Sequence, residues 1–137
     1  MTDRQKKEIF LKTKVIAVVG LSDHSERPSY AVASYLLSQG FTVIPVNPMV
    51  REVLGQKSYP NLSSIPKNIR IDVVDLFRKS EDVFPHVREA IERGGIHTIW
   101  MQEEVTNKEA ASLAERHGLE VIMDTCIMKE HKRLHSL

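Results

Sequence analysis

The sequence predicts an α/β fold in which helices cover both faces of a doubly wound, five-stranded parallel sheet. Three observations support this. Strand-like apolar segments and helical patterns alternate five times along the chain. The first strand segment is apolar throughout, which is typical of a parallel strand buried on both faces. The 137 residues fit one domain, and no repeat or linker divides residues 1–137.

The first third of the chain contains two helices and two strands. Residues 1–12 predict a lead-in helix, and residues 15–19 the first strand. Residues 29–39 carry the apolar stripe of an amphipathic helix, which Gly40 ends as a left-handed cap. Residues 42–46 form the second strand, although Pro45 has no amide hydrogen for a sheet ladder.

The remaining elements follow an irregular stretch. Residues 50–70 suit a loop with one short helical turn near 63–66, and residues 71–77 suit the third strand. Ser80 is expected to cap the next helix, in which Pro85 is tolerable only near the first turn. Residues 96–101 form strand four. Thr106 and Glu109 then read as a capping box before the fourth helix. Residues 120–123 form strand five, and residues 125–134 a terminal helix.

Composition excludes several classes of protein. Nineteen basic and eighteen acidic side chains leave a net charge of +1, which argues against a general nucleic-acid binder but permits one local phosphate site. No apolar run approaches the roughly 20 residues needed to span a bilayer, so no membrane partner is expected. A single cysteine and no secretory signal predict a reduced, cytoplasmic protein.

The predicted topology locates the functional site before any motif does. In an open α/β sheet the ligand lies beyond the carboxyl ends of the strands, where the strand order reverses. The segments that reach this edge are 20–30, 47–48, 77–78, 100–102 and 124–126.

The turn after the first strand favours a phosphate group. Gly20 lets the backbone approach a ligand, and the start of the following helix adds amide donors and the positive end of a dipole. Arg27 adds a fixed charge, and three serines add hydroxyls: Ser22, Ser25 and Ser29. The spacing is not that of the Gly-x-Gly-x-x-Gly fingerprint, so a glycine needed only for the bend remains an alternative.

The residues that follow the next strands restrict which nucleotide can bind. An NAD site places Asp or Glu after the second strand, whereas this chain has Asn47 and Pro48 there, with Arg51 and Lys57 nearby. This disfavours NAD and leaves NADP or another ribose-phosphate carrier. Phe77 and Trp100 end strands three and four. They either line an apolar wall for a base or a pantetheine-like arm, or pack in the core.

The remaining histidine, cysteine and aspartate residues do not indicate a metal or catalytic site. His131 and His135 lie four apart on a helix, but Lys132 stands where a zinc protease needs Glu, so no metal site is predicted. Cys126 has no assigned catalytic partner and reads as a small buried residue. Asp72 and Asp75 would point to opposite faces of a strand, and Asp75 is expected to hold a backbone amide at the sheet edge instead.

The order and spacing of these motifs resemble one known family over residues 14–134. The segments that carry the resemblance are 18–22, 27–30, 46–48, 55–62, 74–78, 100–102, 107–111, 118–119, 123–126 and 130–131. They resemble the small, stand-alone CoA-binding proteins, Rossmann-like single domains related to the CoA-binding domain of the succinyl-CoA synthetase alpha subunit.

The resemblance implies CoA, or an acyl-CoA, held across the carboxyl edge of the sheet. Residues implied at the diphosphate are Gly20, Ser22, Arg27, Pro28, Ser29 and Tyr30. Asn47 and Pro48 would border the adenosine, with Arg51 or Lys57 at its ribose phosphate, and the rest of the crevice would be lined by Phe77, Arg78, Trp100 and Gln102. The family often has glycine two residues after this glutamine, whereas here Glu103 and Glu104 follow and bring two carboxylates towards the thiol end.

These observations predict a CoA-binding module that is not an enzyme and serves as a carrier, sensor or regulator. One alternative is a small NADP- or acyl-CoA-dependent enzyme, with His24 or Cys126 as proton donor. Another is capture of CoA through a mixed disulfide with Cys126. Residues 9–11 are apolar and could cover a homodimer surface, and another protein partner is equally open.

Overall fold

The computed structural model describes residues 1–135 and contains the predicted parallel sheet. Its strands are β1 (Val15–Val19), β2 (Thr42–Val46), β5 (Val73–Leu76), β6 (Thr98–Met101) and β7 (Glu120–Ile122), with a separate hairpin of β3 (Glu52–Val53) and β4 (Gln56–Lys57). The sheet order is β2-β1-β5-β6-β7, and every neighbouring pair is parallel. The α/β fold class is therefore confirmed.

Five α-helices accompany the sheet: α1 (Asp3–Leu11), α2 (Pro28–Ser38), α3 (Phe84–Arg93), α4 (Lys108–Arg116) and α5 (Ile127–His135). Short 3-10 helices span Leu62–Ser64 and Ser80–Asp82. The lead-in helix α1 begins at a capping box in which Thr2 and Gln5 satisfy each other's backbone amides. Within residues 1–135, none of the helices has the length and apolar character needed to cross a bilayer.

The sheet separates two hydrophobic cores. On one face, apolar side chains of α1, α2 and α5 pack against Ile16, Val18 and Trp100. On the other face, α3, α4 and the 3-10 helix Leu62–Ser64 pack against Ala17, Val74 and Ile99. Burial on both sides explains why the central strands are apolar without alternation.

The second strand accommodates its proline because it lies at the edge of the sheet. Pro45 pairs in register with Val18 of β1, the only main-sheet neighbour of β2 within the described residues. An edge strand has amides that face away from the ladder, so a residue without an amide hydrogen is tolerated there.

The hairpin of β3 and β4 lies in the stretch that we read as a loop. Its two-residue turn consists of Leu54 and Gly55, with φ of 53° and 74°. A turn with two positive φ values normally carries Asn-Gly or Asp-Gly. Leucine in the first of these positions, and strands of two residues, give no pattern from which the hairpin can be predicted.

Two predicted helix caps are wrong. The hydroxyl of Ser80 does not cap α3; it accepts from the Thr106 amide at 3.0 Å and donates to the Glu104 carbonyl at 3.3 Å. The helix α3 starts later, with Pro85 in its first turn as expected. Thr106 does not cap α4, because the helix begins one residue later than the pattern predicts, at Lys108. Asn107 caps that helix, its side chain accepting from the Ala110 amide at 2.9 Å.

The sheet order places a ligand site between β1 and β5. Successive strands are added on opposite sides of β1: β2 on one side, and β5, β6 and β7 on the other. The strand order therefore reverses beyond the carboxyl ends of β1 and β5, where open α/β sheets bind their ligands.

Candidate functional site

A cleft of about 300 Å³ opens at this reversal point. We call it the Gly20 cleft; its lining residues are Gly20, Ser22, His24, Arg27, Pro28, Ser29 and Phe77. They come from the end of β1, the start of α2 and the end of β5. Five of the residues that the resemblance assigned to the diphosphate are thus brought together here.

Gly20 is required by the packing of the turn itself. Its φ is 85°, a conformation that L side chains rarely adopt. A Cβ at this position would lie 2.2 Å from the Phe77 carbonyl oxygen and 3.0 Å from Cδ of Arg78. The bend alone therefore accounts for the glycine, and the case for phosphate depends on the groups around it.

Polar contacts hold the turn in one shape. The Ser22 amide donates to Oγ of Ser29 at 3.0 Å, and the His24 amide donates to Oγ of Ser22 at 3.0 Å. Nδ2 of Asn47 donates to the Leu21 carbonyl at 3.0 Å, which ties the turn to the end of β2. The hydroxyl hydrogens of both serines remain available to an acceptor oxygen, so the turn is ordered before a ligand arrives.

The charges around the Gly20 cleft favour an anion at the start of α2. In the first turn of α2, Pro28 has no amide hydrogen and the Tyr30 amide donates to the Arg27 carbonyl at 3.1 Å. Among the described residues this leaves the Ser29 amide, with the positive end of the helix dipole, for an anion. Arg27 is the N-cap residue and is exposed, so its guanidinium can bind two oxygens of one phosphate. His24 faces Asp23 and Glu26, with nitrogen–oxygen distances of 3.6 and 3.4 Å.

A second and larger cleft, of about 870 Å³, adjoins the first. We call it the Cys126 cleft. Its apolar lining comprises Pro28, Ala31, Val32, Phe77, Val105, Cys126 and Met128, and its polar lining comprises Arg78, Lys79, Gln102, Glu103, Glu104, Asp124 and Lys129. Pro28 and Phe77 line both clefts, so the two clefts adjoin along the carboxyl edge of the sheet, and we call them together the groove.

The backbone at the floor of the groove continues the sheet ladder. The Phe77 amide donates to the Val19 carbonyl at 2.9 Å, and the Gln102 amide donates to the Leu76 carbonyl at 3.3 Å. Gln102 is only 4% exposed, and its Oε1 accepts from the Ile127 amide at 3.1 Å. This glutamine therefore fixes the start of α5 and presents little of itself to a ligand.

The far end of the Cys126 cleft is acidic and fixed in position. The Glu104 amide donates to Oδ1 of Asp124 at 2.7 Å, and the two residues have φ of 69° and 52°. Nζ of Lys129 lies 3.1 Å from a carboxylate oxygen of Glu103. Glu103, Glu104 and Asp124 all line this part of the cleft, which we call the carboxylate end.

A carboxyl group is buried beneath the groove. Asp75 lies in register between Val18 and Trp100 and is fully buried, and neither of its carboxyl oxygens has a hydrogen-bond partner within residues 1–135. Burial raises its pKa well above the ordinary value, because a charged carboxylate there would have neither water nor a hydrogen-bond donor. The expectation that Asp75 holds a backbone amide is wrong: Asp72 does so, accepting from the Lys14 and Val15 amides at 2.9 Å each.

Five of the predicted site residues lie outside the lining of the two clefts. Trp100 is fully buried, and its Nε1 donates to the Thr125 carbonyl at 2.8 Å. Tyr30 packs against the core on the α2 face. The side chain of Asn47 donates to the Leu21 carbonyl and accepts from the Met49 amide, and the neighbouring Pro48 is exposed. Lys57 lies in the hairpin, with Nζ 5.1 Å from the ring centroid of Tyr59.

Sequence reasoning missed residues that helices place over the groove. Ala31 and Val32 come from the first turns of α2, and Met128 and Lys129 come from the first turn of α5. The segment 124–126 was assigned to the sheet edge, but the helix that follows it was not. The available signal was the position of Cys126, because a residue three positions further along the adjoining helix, here Lys129, lies on the same face.

The described residues hold no group of three or more histidine, cysteine, aspartate or glutamate side chains arranged for a metal ion. His131 is committed to the core: its Nδ1 lies 2.6 Å from the Tyr35 hydroxyl, and its ring stacks on His135 with centroids 5.0 Å apart. Burial, together with the nearby His135, lowers the pKa of His131.

Comparison with known proteins places the chain in a family. The model of the CoA binding domain family matches residues 14–132. A Bacillus subtilis protein, the uncharacterized protein YneT, is 40% identical over 125 residues, which cover 91% of this chain and 90% of the relative. The chain therefore belongs to the CoA-binding domain family.

Solved structures and a longer enzyme extend the comparison. A hypothetical protein from Pyrococcus horikoshii OT3 is 41% identical, with a TM-score of 0.93, and the match covers 98% of this chain and 93% of that one. The ADP-forming acetate–CoA ligase I of Archaeoglobus fulgidus is 26% identical over 126 residues, 83% of this chain but only 18% of the ligase. The chain thus corresponds to a small part of that ligase.

Proposed function

We propose that this member of the CoA-binding domain family binds CoA or a CoA thioester along the joined Gly20 and Cys126 clefts and catalyses no reaction on it. The observation that carries the proposal is that the two clefts adjoin at the carboxyl edge of the sheet and share Pro28 and Phe77 in their lining. A ligand with an anionic diphosphate and a long, uncharged arm matches a groove that starts at the N-terminus of a helix and continues over apolar side chains.

The surroundings of the clefts support binding without catalysis. General acid–base catalysis needs a titratable group held within hydrogen-bond reach of the reacting atoms. His24 is the only histidine that lines either cleft within residues 1–135, and it is exposed between Asp23 and Glu26. Cys126 is 5% exposed, and no basic group within hydrogen-bond distance activates it among the described residues. A carrier, sensor or regulator needs no such pair.

Thermal unfolding with added nucleotides tests the ligand. We expect CoA to stabilise the chain, by about 2 to 3 kcal/mol at a hundredfold its dissociation constant, and NAD and ATP to do so far less. If the chain is instead an NADP-dependent enzyme, NADP should stabilise it more than CoA does. A clear shift with NADP and none with CoA would overturn the proposal.

Protection of Cys126 tests where the arm lies. A thiol on the wall of the larger cleft should react slowly with iodoacetamide, and more slowly still when CoA fills that cleft. Adenosine 3′,5′-bisphosphate, which lacks the arm, is the matched control and should give no added protection. Equal rates with and without saturating CoA would place the arm elsewhere.

Turnover assays test the absence of catalysis. We expect no release of free thiol from acetyl-CoA, with or without phosphate and ADP, above the rate in buffer. Release that disappears in either His24→Ala or Cys126→Ala would show an enzyme and replace the binding module.

A further inference from the structure

Asp75 carries a buried carboxyl group that forms no hydrogen bond within residues 1–135. We propose that this group binds the uncharged arm of the ligand, donating a hydrogen bond to an amide carbonyl oxygen of the arm. The inference rests on the proposed function, because it assumes that the arm of CoA lies in the Cys126 cleft.

The carboxyl group of Asp75 opposes folding of the free chain. It is fully buried in a central strand, and neither of its oxygens has a partner among the described residues. A buried polar group without a partner destabilises a fold, whereas an apolar residue in its place does not. Asp72 shows the ordinary arrangement, since its carboxylate accepts from the Lys14 and Val15 amides. The fold therefore gives no reason for a carboxyl at Asp75, and a ligand contact would give one.

The sheet directs Asp75 towards the side on which the Cys126 cleft lies. Asp75 pairs in register with Val18 of β1 and Trp100 of β6, and both of these side chains pack on the face that α2 and α5 cover. Phe77, two positions further along the chain, packs on the same face, as the alternation of a strand requires. Phe77 and Cys126 line the cleft and also pack in this core. Asp75 thus lies beneath the wall of the cleft.

Apolar side chains separate the cleft from Asp75. Val32, Phe77 and Cys126 line the cleft and belong to the core on this face. Val32 and Cys126 are buried, whereas Phe77 is half-buried at the position where the two clefts adjoin. The Phe77 backbone is held by its amide, which donates to the Val19 carbonyl at 2.9 Å. The ring can therefore turn while the strand stays in place, and this turn brings the arm to the carboxyl group.

A protonated carboxyl suits the chemistry of the arm. Burial raises the pKa of Asp75, which favours its protonated form. A protonated carboxyl donates through its O–H, whereas a carboxylate only accepts. The arm of CoA contains amide groups, and the thiol of Cys126 offers their carbonyl oxygens only a weak donor. Asp75 supplies the strong donor that the apolar wall of the cleft lacks.

Two substitutions at Asp75 separate the hydrogen bond from the shape of the site. Asp75→Val removes the polar group, whereas Asp75→Asn keeps the size of the side chain and a donor. In titration calorimetry of the full chain, Asp75→Val should bind CoA about tenfold or more weakly, and Asp75→Asn within about threefold of the natural affinity. Adenosine 3′,5′-bisphosphate, which lacks the arm, should bind equally to the natural chain and both variants.

Thr98→Val is the matched control. Thr98 is fully buried at the amino end of β6, in register with Val73 on the same face of the sheet. Its hydroxyl lies 2.8 Å from Nδ1 of His97, away from both clefts, so its loss should leave CoA affinity unchanged. Without ligand, Asp75→Val should unfold at a higher temperature than the natural chain, because it no longer buries an unpartnered group, and Thr98→Val should not. Asp75→Ala, which adds no volume, has the same expected affinities if the valine variant does not fold.

The affinities distinguish the role of Asp75 from the proposed function. Equal affinity of the natural chain and Asp75→Val for CoA would overturn the role of Asp75 and leave the proposed function standing. An equal loss for CoA and the bisphosphate would overturn that role as well, since a distorted fold would then explain the loss. Equal losses in Asp75→Val and Asp75→Asn would overturn the donated hydrogen bond. No binding of CoA to the natural chain would instead overturn the proposed function.

Discussion

The two ends of the groove are built in opposite ways. At the Gly20 cleft the backbone conformation with positive φ belongs to a glycine, and serine hydroxyls order the turn around it. At the carboxylate end the positive φ values belong to Glu104 and Asp124, and a bond between two loops holds them. One end thus depends on the absence of a side chain and the other on the charge of side chains, so different substitutions should break them.

The largest effect is expected at Gly20. Gly20→Ala should lower the free energy of unfolding by the cost of a positive φ, about 1–2 kcal/mol, and by about 1–3 kcal/mol more because the new Cβ meets the Phe77 carbonyl. Gly118→Ala is the matched control, since φ there is 83° and no atom lies within 4 Å of the added Cβ. Chemical denaturation of both variants measures the difference. Equal losses would show that the close approach to Phe77 does not matter.

The next effect concerns the phosphate side. Arg27→Ala should weaken CoA binding roughly 10- to 100-fold, because a hydrogen bond to a charged group contributes about 1.5–3 kcal/mol. The unfolding temperature should stay within a degree or two, as the exposed side chain makes no cap bond. Arg116→Ala, in α4 outside both clefts, is the control for lost charge and should leave affinity unchanged. A loss of affinity common to both variants would count against a phosphate at the Gly20 cleft.

A smaller effect on stability is expected from Asp75, which is buried beneath the groove. Because burial raises the pKa of Asp75, the folded chain keeps a proton that the unfolded chain releases above the ordinary aspartate value. Between these two pKa values rising pH favours unfolding, by up to about 1.4 kcal/mol per pH unit. Asp75→Asn cannot titrate and should lack this slope, which denaturation between pH 5 and 8 would measure.

Asp72 provides the contrasting case. Burial opposes its ionisation, yet the Val15 and Lys14 amides and the Arg70 guanidinium outweigh burial and hold its pKa below the ordinary value. Its stabilising contribution is therefore present at neutral pH and lost as pH falls through the lowered pKa. Asp72→Asn should reduce stability at neutral pH. Asp75→Asn and Asp72→Asn should therefore change the pH dependence of the free energy of unfolding with opposite signs. The same sign for both variants would contradict the raised pKa of Asp75.

The smallest effect is expected at the carboxylate end. Glu104→Gly should raise the free energy of unfolding by roughly 0.5–1 kcal/mol, since relief of a left-handed φ exceeds the entropy cost of glycine. Glu103→Gly, whose φ is not positive, should lower it by a similar amount. Destabilisation by both substitutions would show that the left-handed backbone of Glu104 is not strained.

The sheet could be predicted from sequence because its determinants are local. Residues 15–19 and 42–46 are continuous apolar runs flanked by turn residues, and both strands have the predicted bounds. The hairpin at Leu54 and Gly55 was missed because leucine rarely adopts the positive φ of that turn. The predicted cap at Ser80 is wrong because its hydroxyl is bonded to the Thr106 amide, 26 positions away in the chain. The predicted cap at Thr106 is wrong because the neighbouring Asn107 caps α4 instead.

The candidate site could be predicted only as a set of strand ends. The turn at Gly20, with Arg27 and Ser29, was found because the relevant residues are neighbours in sequence. For Trp100 the sequence left core packing and ligand contact as alternatives, because the partner of its indole is the carbonyl of Thr125, 25 residues away. Which side chains face the groove from α2 and α5 likewise depends on how the helices pack over the sheet.

Mass spectrometry of the intact chain under native conditions tests the central claim most directly. The chain as purified, and again after addition of CoA and NADP together in equal amounts, should show a mass increase of one CoA that disappears on denaturation. An increase by the mass of NADP, or an unchanged mass at saturating CoA, would contradict the assignment of the joined Gly20 and Cys126 clefts as a CoA site.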